Sequence, residues 1–181
     1  MTEDVLDGSR TTPATTVTIA ATVNGEPWSG VVAVDELLLD LLRLRLGLTG
    51  AKRGCNTQVC GACTVLVDGG PVSACTYLAF EVDGREVRTV EGLAGEEVTP
   101  LQDAFVRNVA QQCGYCTSGQ LMACTALLER RDDPDETEIR EWMRGNVCRC
   151  GCYPAILSSV QEVARLRSTA SDADEDGTGP W

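Results

Sequence analysis

The stretch GCNTQVCGACTVLVDG, residues 54 to 69, places three thiols, Cys55, Cys60 and Cys63, in one glycine-containing loop and then runs into a β-branched, apolar segment. That segment, TVLVDGGPV, reads as a hairpin around Asp68-Gly69-Gly70. The hairpin returns the chain toward the loop, where a fourth thiol, Cys75, follows. The resulting pattern is C-x4-C-x2-C-x11-C. Three thiols from one loop, with the fourth from beyond the adjoining hairpin, is the plant-type spacing for a [2Fe-2S] cluster. The loop also has the right chemistry: Gly54, Gly61 and Ala62 let backbone N–H groups approach sulfur and stabilise added negative charge.

Working toward the N-terminus, Val17, Ile19, Ala21 and Val23 alternate with polar or small residues, the period of a half-buried strand. Asn24-Gly25 is a two-residue hairpin signal, and a second strand should run through Trp28 to Val34. Asp35 is placed to cap a leucine-rich helix, DELLLDLLRLRLG, with Gly47 at its left-handed end. Arg85 to Val90 reads as a closing strand. Strand, strand, helix, strand, strand describes a small α+β domain over residues 16–93.

Beyond Thr99 the period becomes helical. Thr99-Pro100-Leu101-Gln102 is a capping box with proline at the first helical position. A second helix is expected from about Ser118 to Arg131, with Thr117 and Gln120 as a further capping box. A third should start at Asp135, with Glu138 reciprocating, and stop at Gly145. A fourth should start at Pro154, giving a compact four-helix domain over residues 94–167. The polar ends, residues 1–15 and the acidic 168–181, are expected to be disordered. Each half is small, roughly 75 to 80 residues, a size at which a metal or other staple often supplies stability.

Composition narrows the chemistry. The chain has 181 residues with 15 basic and 27 acidic side chains, a formal charge of −12. That balance disfavours nucleic acid as a partner. No apolar run has the length for membrane insertion, and the polar start MTEDVLDGSRTTPATT lacks an apolar signal core, so a cytoplasmic location is expected. Ten cysteines in such a chain are metal ligands or buried thiols before they are disulfides. Histidine is absent. Cys/His zinc sites, Rieske clusters and histidine-based acid–base or nucleophilic catalysis are thereby excluded.

A second set of thiols lies in QCGYC (Cys113, Cys116) and CRC (Cys148, Cys150), two close pairs at helix boundaries. On spacing alone this set could hold a structural zinc or an iron–sulfur core, although C-x-C is tight for zinc. Cys124, mid-helix among apolar neighbours, reads as a buried inert thiol. Cys152, in CRCGC, is surplus to the pairs: a small buried side chain, or a reserve ligand or oxidisable thiol.

Three motifs, GCNTQVCGACTVLVDG, QCGYCTSG and GNVCRCGCYPAI, in this order and separation, resemble the iron–sulfur subunit of the molybdenum hydroxylases, the xanthine dehydrogenase, aldehyde oxidase and carbon monoxide dehydrogenase family. The resemblance covers nearly the whole chain. It implies an N-terminal β-grasp, plant-type ferredoxin domain followed by an all-α four-helix-bundle domain, each holding one [2Fe-2S] cluster. By position, Cys55, Cys60, Cys63 and Cys75 would bind the outer cluster, and Cys113, Cys116, Cys148 and Cys150 the inner one. Gln112 and Cys150 would lie against the pterin of a molybdopterin, as its cytosine dinucleotide, held by a large subunit. Electrons would pass from that centre through both clusters to FAD in a medium subunit, within a heterotrimer or a dimer of heterotrimers. The chain departs from the family pattern at Gln58, where Gly or Ser is common, at Ser118, where Pro is usual, and at Cys152, where Thr or Gly is usual. A freestanding two-cluster ferredoxin-like carrier would use the same thiols.

Overall fold

The computed structural model describes residues 15–93, 95 and 98–175. The expectations of disorder at residues 1–14 and 176–181 lie outside them. Among the described residues the fold is α+β, a mixed five-stranded sheet followed by helices.

Strands β1 (Thr16–Val23) and β2 (Glu26–Ala33) form the first hairpin. Its turn residues, Asn24 (φ 52°) and Gly25 (φ 84°), are both left-handed, the requirement of a two-residue turn that matches strand twist. Strands β3 (Thr64–Val67) and β4 (Gly70–Ser73) repeat the device with Asp68 (φ 48°) and Gly69 (φ 73°). Strand β5 (Glu86–Arg88) pairs parallel to β1 and antiparallel to β3, giving the order β2-β1-β5-β3-β4.

Helix α1 (Leu38–Asp40) continues as a π-turn over Leu41–Arg45 and buries Leu38, Leu39, Leu41 and Leu42 against Ile19, Val65, Val67 and Val87. Asp35 does not cap it. The N-cap residue is Leu37, held extended by a bridge to Leu78, and the first helical N–H groups bond to the loop after β4: Leu38 to Tyr77 O at 2.8 Å, Leu39 to Ala74 O at 3.0 Å. The unpaired donors of a helix start can be satisfied by any nearby carbonyl, and tertiary structure supplies one before the side chain is needed. Gly47 does end the turn in the left-handed region, φ 70°.

The helices that follow are α2 (Pro100–Arg107), α3 (Thr117–Leu128), α4 (Glu136–Trp142) and α5 (Tyr153–Glu175). Two of the three expected capping boxes are made, at Thr99/Gln102 and Asp135/Glu138. The third is not: Cys116 is the N-cap residue of α3, and the Gln120 side chain reaches instead to Asn146 O at 3.2 Å. Helix α5 runs to Glu175, past residue 167, so the first part of the expected disordered tail is helical. Nothing in that stretch breaks a helix before Gly177, and the Ser168 hydroxyl donates to Ala164 O.

Helix α3 is buried on every side, the mark of a central element. One face meets Phe105, Ile139 and Val160 of the helical core; Met122 and Ala126 meet Leu66 of β3. Strand β3 is accordingly buried at all four positions, Val65 and Val67 toward the first core and Leu66 toward α3. The continuous apolar run TVLV thus reflects a strand covered on both faces. No helix among the described residues is long and apolar enough to cross a membrane.

Helix α2 closes with a Schellman pair, Ala110 N–H to Phe105 O at 2.9 Å and Val109 N–H to Val106 O at 3.2 Å. Its left-handed residue is Val109, φ 52° and 68% exposed, where glycine is the usual occupant. A β-branched residue there costs about 1–2 kcal/mol. The entropy glycine adds to the unfolded chain offsets part of that. Val109→Gly is therefore expected to stabilise by about 0.5–1 kcal/mol, a rise of about 2 °C in the thermal midpoint. A fall in the midpoint would mean that the valine side chain contributes packing.

Candidate functional site

The first cysteine loop is shaped by backbone conformation. Asn56 (φ 56°), Gln58 (φ 62°) and Gly61 (φ 68°) are all left-handed, which turns successive N–H groups inward as an anion-binding nest. The Cys55 sulfur accepts from the N–H groups of Thr57 (3.4 Å), Val59 (3.3 Å) and Cys60 (3.4 Å). Together with the Thr57 hydroxyl, these hold the Cys55 pKa down to about 5. Gln58, the departure in this loop, stands in the conformation that glycine adopts most readily.

Cys63 and Cys75 flank the open end of the β3–β4 hairpin, where Cys63 O accepts from Ala74 N–H at 3.4 Å, and both belong to the sheet's core. Burial pushes the Cys63 thiol up to about 12, with the neighbouring Cys75 and Cys60 sulfurs adding to the rise. In the second set the sulfurs also meet in pairs, Cys116 with Cys148 and Cys113 with Cys150. Burial raises Cys116 to about 11, and Cys148 adds to that. Cys113, at the exposed rim, is lowered by the Tyr115 N–H and by Cys150. Gln112 is exposed directly before it, and Cys150 is half-buried.

Both sets suit a binuclear iron–sulfur core. The donors are all sulfur, backbone N–H groups point at Cys55 and Cys148, and a metal's positive charge would favour ionisation of buried Cys63 and half-buried Cys116. Among the described residues no group of three or more thiols or carboxylates closes on a single-ion position. A two-iron core asks for two pairs of thiolates, and Cys116 with Cys148 and Cys113 with Cys150 form two such pairs in the second set. Cys124 lies outside both sets, fully buried, with its thiol against the Met143 sulfur at 3.5 Å.

Side chains the motifs did not single out lock the two sets together. Asn146, 7% exposed, donates from Nδ2 to Gly61 O (3.2 Å), Gly119 O (3.2 Å) and Thr64 Oγ1 (3.3 Å). Its neighbour Val147 donates its N–H to Cys60 O at 2.9 Å. A Cβ at Gly119 would overlap Gly61 O, and one at Gly61 would overlap Gly145 O. Tyr115 donates its hydroxyl to Arg53 O at 2.6 Å, and Ser118, at the proline departure, donates to Gly50 O at 2.6 Å. The cue in the sequence was a polar residue, Asn146, inside a cysteine motif; two of its three partners lie 82 and 85 positions away and the third 27. Gln120 Oε1 is buried with no hydrogen-bond partner, while the same side chain bonds to the Cys116 thiol.

The comparisons with known proteins agree with this geometry. Residues 21–94 match the 2Fe-2S iron-sulfur cluster binding domain, and residues 89–161 match the [2Fe-2S] binding domain. The protein is thus a two-domain iron–sulfur protein. The small subunit of nicotine 6-hydroxylase from Paenarthrobacter nicotinovorans is 47% identical over 82% of this chain and 90% of its own. The structure of quinoline 2-oxidoreductase from Pseudomonas putida 86 superposes with a TM-score of 0.81 at 42% identity, over 85% of this chain and 97% of that one. Aldehyde oxidoreductase from Desulfovibrio gigas gives the same TM-score at 37% identity, over 85% of this chain and 17% of that one. The chain belongs to the iron–sulfur subunits of the molybdenum hydroxylases. It is an oxidoreductase subunit for electron transfer, not catalytic by itself.

Asn146→Ala removes three buried hydrogen bonds, while Gly61 O keeps its bonds from Thr64, so it is expected to cost about 1–3 kcal/mol. Asn146→Asp should cost more, because it sets a carboxylate against the same carbonyls. Denaturant midpoints of the two variants check both the loss and its order; equal stability to wild type would mean that Asn146 does not join the domains.

Proposed function

We propose that the chain carries electrons between a molybdopterin-binding large subunit and an FAD-binding medium subunit, in a heterotrimer or a dimer of heterotrimers. Residues 16–93 are the β-grasp, plant-type ferredoxin domain, and Cys55, Cys60, Cys63 and Cys75 hold its outer cluster. Residues 94–167 are the four-helix-bundle domain, and Cys113, Cys116, Cys148 and Cys150 hold the inner one. Gln112 and Cys150 contact the pterin of the molybdopterin cytosine dinucleotide. Each [2Fe-2S] cluster, when bound, takes up and releases one electron.

One observation carries this reading: the 2.9 Å hydrogen bond from Val147 N–H to Cys60 O. Cys60 is a ligand of one site, and Val147 precedes Cys148, a ligand of the other. One path between the two sites therefore runs through covalent backbone and this hydrogen bond, with Asn146 buried beside it. The rim around the thiols is exposed and partly apolar, with Val59, Tyr115, Val147 and Tyr153 at the surface, which suits cover by partner subunits. Among the described residues no two cysteines form a disulfide, and a cytoplasmic location is part of this reading.

The purified chain is expected to contain about four iron and four acid-labile sulfide. Cys55→Ser and Cys116→Ser should each halve the iron and remove a different EPR signal of the reduced protein. Zinc in place of iron, or loss of the same signal in both variants, would sink the assignment. Co-purification with a molybdenum subunit and a flavin subunit tests the assembly; full activity of the isolated chain toward a soluble acceptor would favour a freestanding carrier.

A further inference from the structure

Where α3, α4 and α5 converge, beside the turn that follows α4, lies a cavity of about 230 Å³ that no cysteine lines. Met143, Ile156 and Leu157, all buried, form its apolar wall. Gln120 lines it as well and is 1% exposed. Its Nε2 is taken, donating to Asn146 O at 3.2 Å, which sets the orientation of the amide. Oε1 is then the buried end that has no partner among the described residues. Tyr153 also borders the cavity; its Oη accepts from the Cys148 N–H at 2.7 Å, which leaves its own proton to donate. Arg140 and Arg144, both exposed, mark the mouth.

A buried oxygen without a donor is costly, so it calls for a partner. One water does not answer here: the cavity is several times the ~30 Å³ that a water occupies, and its apolar wall offers nothing to hold water in place. At the mouth, Arg140 pairs with Glu136 at 2.6 Å and Arg144 with Glu141 at 2.8 Å. Exposed pairs of this kind contribute little, each guanidinium has N–H groups to spare, and neither glutamate lines the cavity. A ligand must therefore bring a hydrogen-bond donor for Gln120, an apolar body for the wall and a negative charge for the arginines. We propose that this cavity binds a small organic acid of one-ring size. Its hydroxyl donates to Gln120 Oε1, its body packs on Met143, Ile156 and Leu157, and its carboxylate is held by Arg140 and Arg144. No thiol takes part, so the site stands whether or not the cysteines bind their clusters as assigned above.

The test is a binding titration of the purified full chain with 4-hydroxyphenylacetate, phenylacetate and 4-ethylphenol, of which the second lacks the donor and the third the charge. 4-Hydroxyphenylacetate should bind, and each of the others about tenfold more weakly, the loss of one polar contact in a buried site. Replacing both arginines, Arg140→Gln with Arg144→Gln, should abolish its advantage over 4-ethylphenol, and Gln120→Met its advantage over phenylacetate. If Gln120→Met fails to fold, the comparison of the two acids on the wild-type chain still reads the donor. Equal binding of all three compounds would reduce the cavity to an unspecific apolar hole and overturn the proposal. So would no binding at millimolar concentration, which leaves Gln120 to water, or binding to the chain that is lost in the complex with its partner subunits, which gives the cavity to a partner side chain.

Discussion

The whole arrangement depends on a buried polar joint in which Asn146 and Val147 bind the first cysteine loop to the second. Most domain contacts could be replaced by any well-packed apolar surface, but this one has a polar backbone on both sides. Gly61 O, Gly119 O and Cys60 O all point into it. Buried carbonyls without donors are costly, so a side chain with a donating amide and a free neighbouring N–H is the economical filler. Glycine at 61 and 119 follows from the same closeness, since a methyl group at either place would meet a carbonyl oxygen. Electron transfer needs two redox sites at a fixed short separation, and rigid polar geometry fixes a separation better than an oily contact does.

The thiols also serve the cores. Cys63 and Cys75 pack with the leucines of α1, and Cys148 and Cys152 with the helical cluster. A half-chain of this size is near the lower limit for independent stability. With Cys63, Cys75 and Cys148 as the proposed ligands, metal ligation inside the core would tie cofactor retention to folding, so loss of either would loosen the other. Met122 and Leu66 extend the apolar contact from one core to the next, which makes the two halves share a boundary.

The sequence was most legible where structure is decided locally. Asn24-Gly25 and Asp68-Gly69 formed the hairpins expected of them, the boxes at Thr99 and Asp135 closed, and the leucine run buried itself on the sheet. It was least legible where a nearby preference loses to a distant partner. Asp35 yielded to the carbonyls of Tyr77 and Ala74, the Thr117/Gln120 box yielded to Asn146, and Ser118 turned to Gly50. Acidic composition suggested disorder after residue 167, yet composition is a weak argument against a helix already nucleated and propagating from a packed start. The one local cue to Asn146, a polar residue inside a cysteine motif, could not name its role, which exists only once two segments some eighty residues apart are in contact.

The backbone's departures from easy conformation follow the same logic. Five non-glycine residues among those described have positive φ: Asn24, Asn56, Gln58, Asp68 and Val109. Asn24 and Asp68 belong to hairpin turns that demand it. The other three lie in, or shortly before, the thiol loops. Asn56 and Gln58 tilt their neighbours' N–H groups onto Cys55, so their strain is repaid by hydrogen bonds to sulfur that no relaxed loop would make. Val109 makes no such bond through its side chain, but the Schellman turn it completes directs the chain out of α2 and into Gln112-Cys113. Strain at Asn56 and Gln58 therefore builds a sulfur environment, whereas strain at Val109 only aims a segment. Glycine would serve at 109 without loss, while the loop at 56–58 works through the conformation itself.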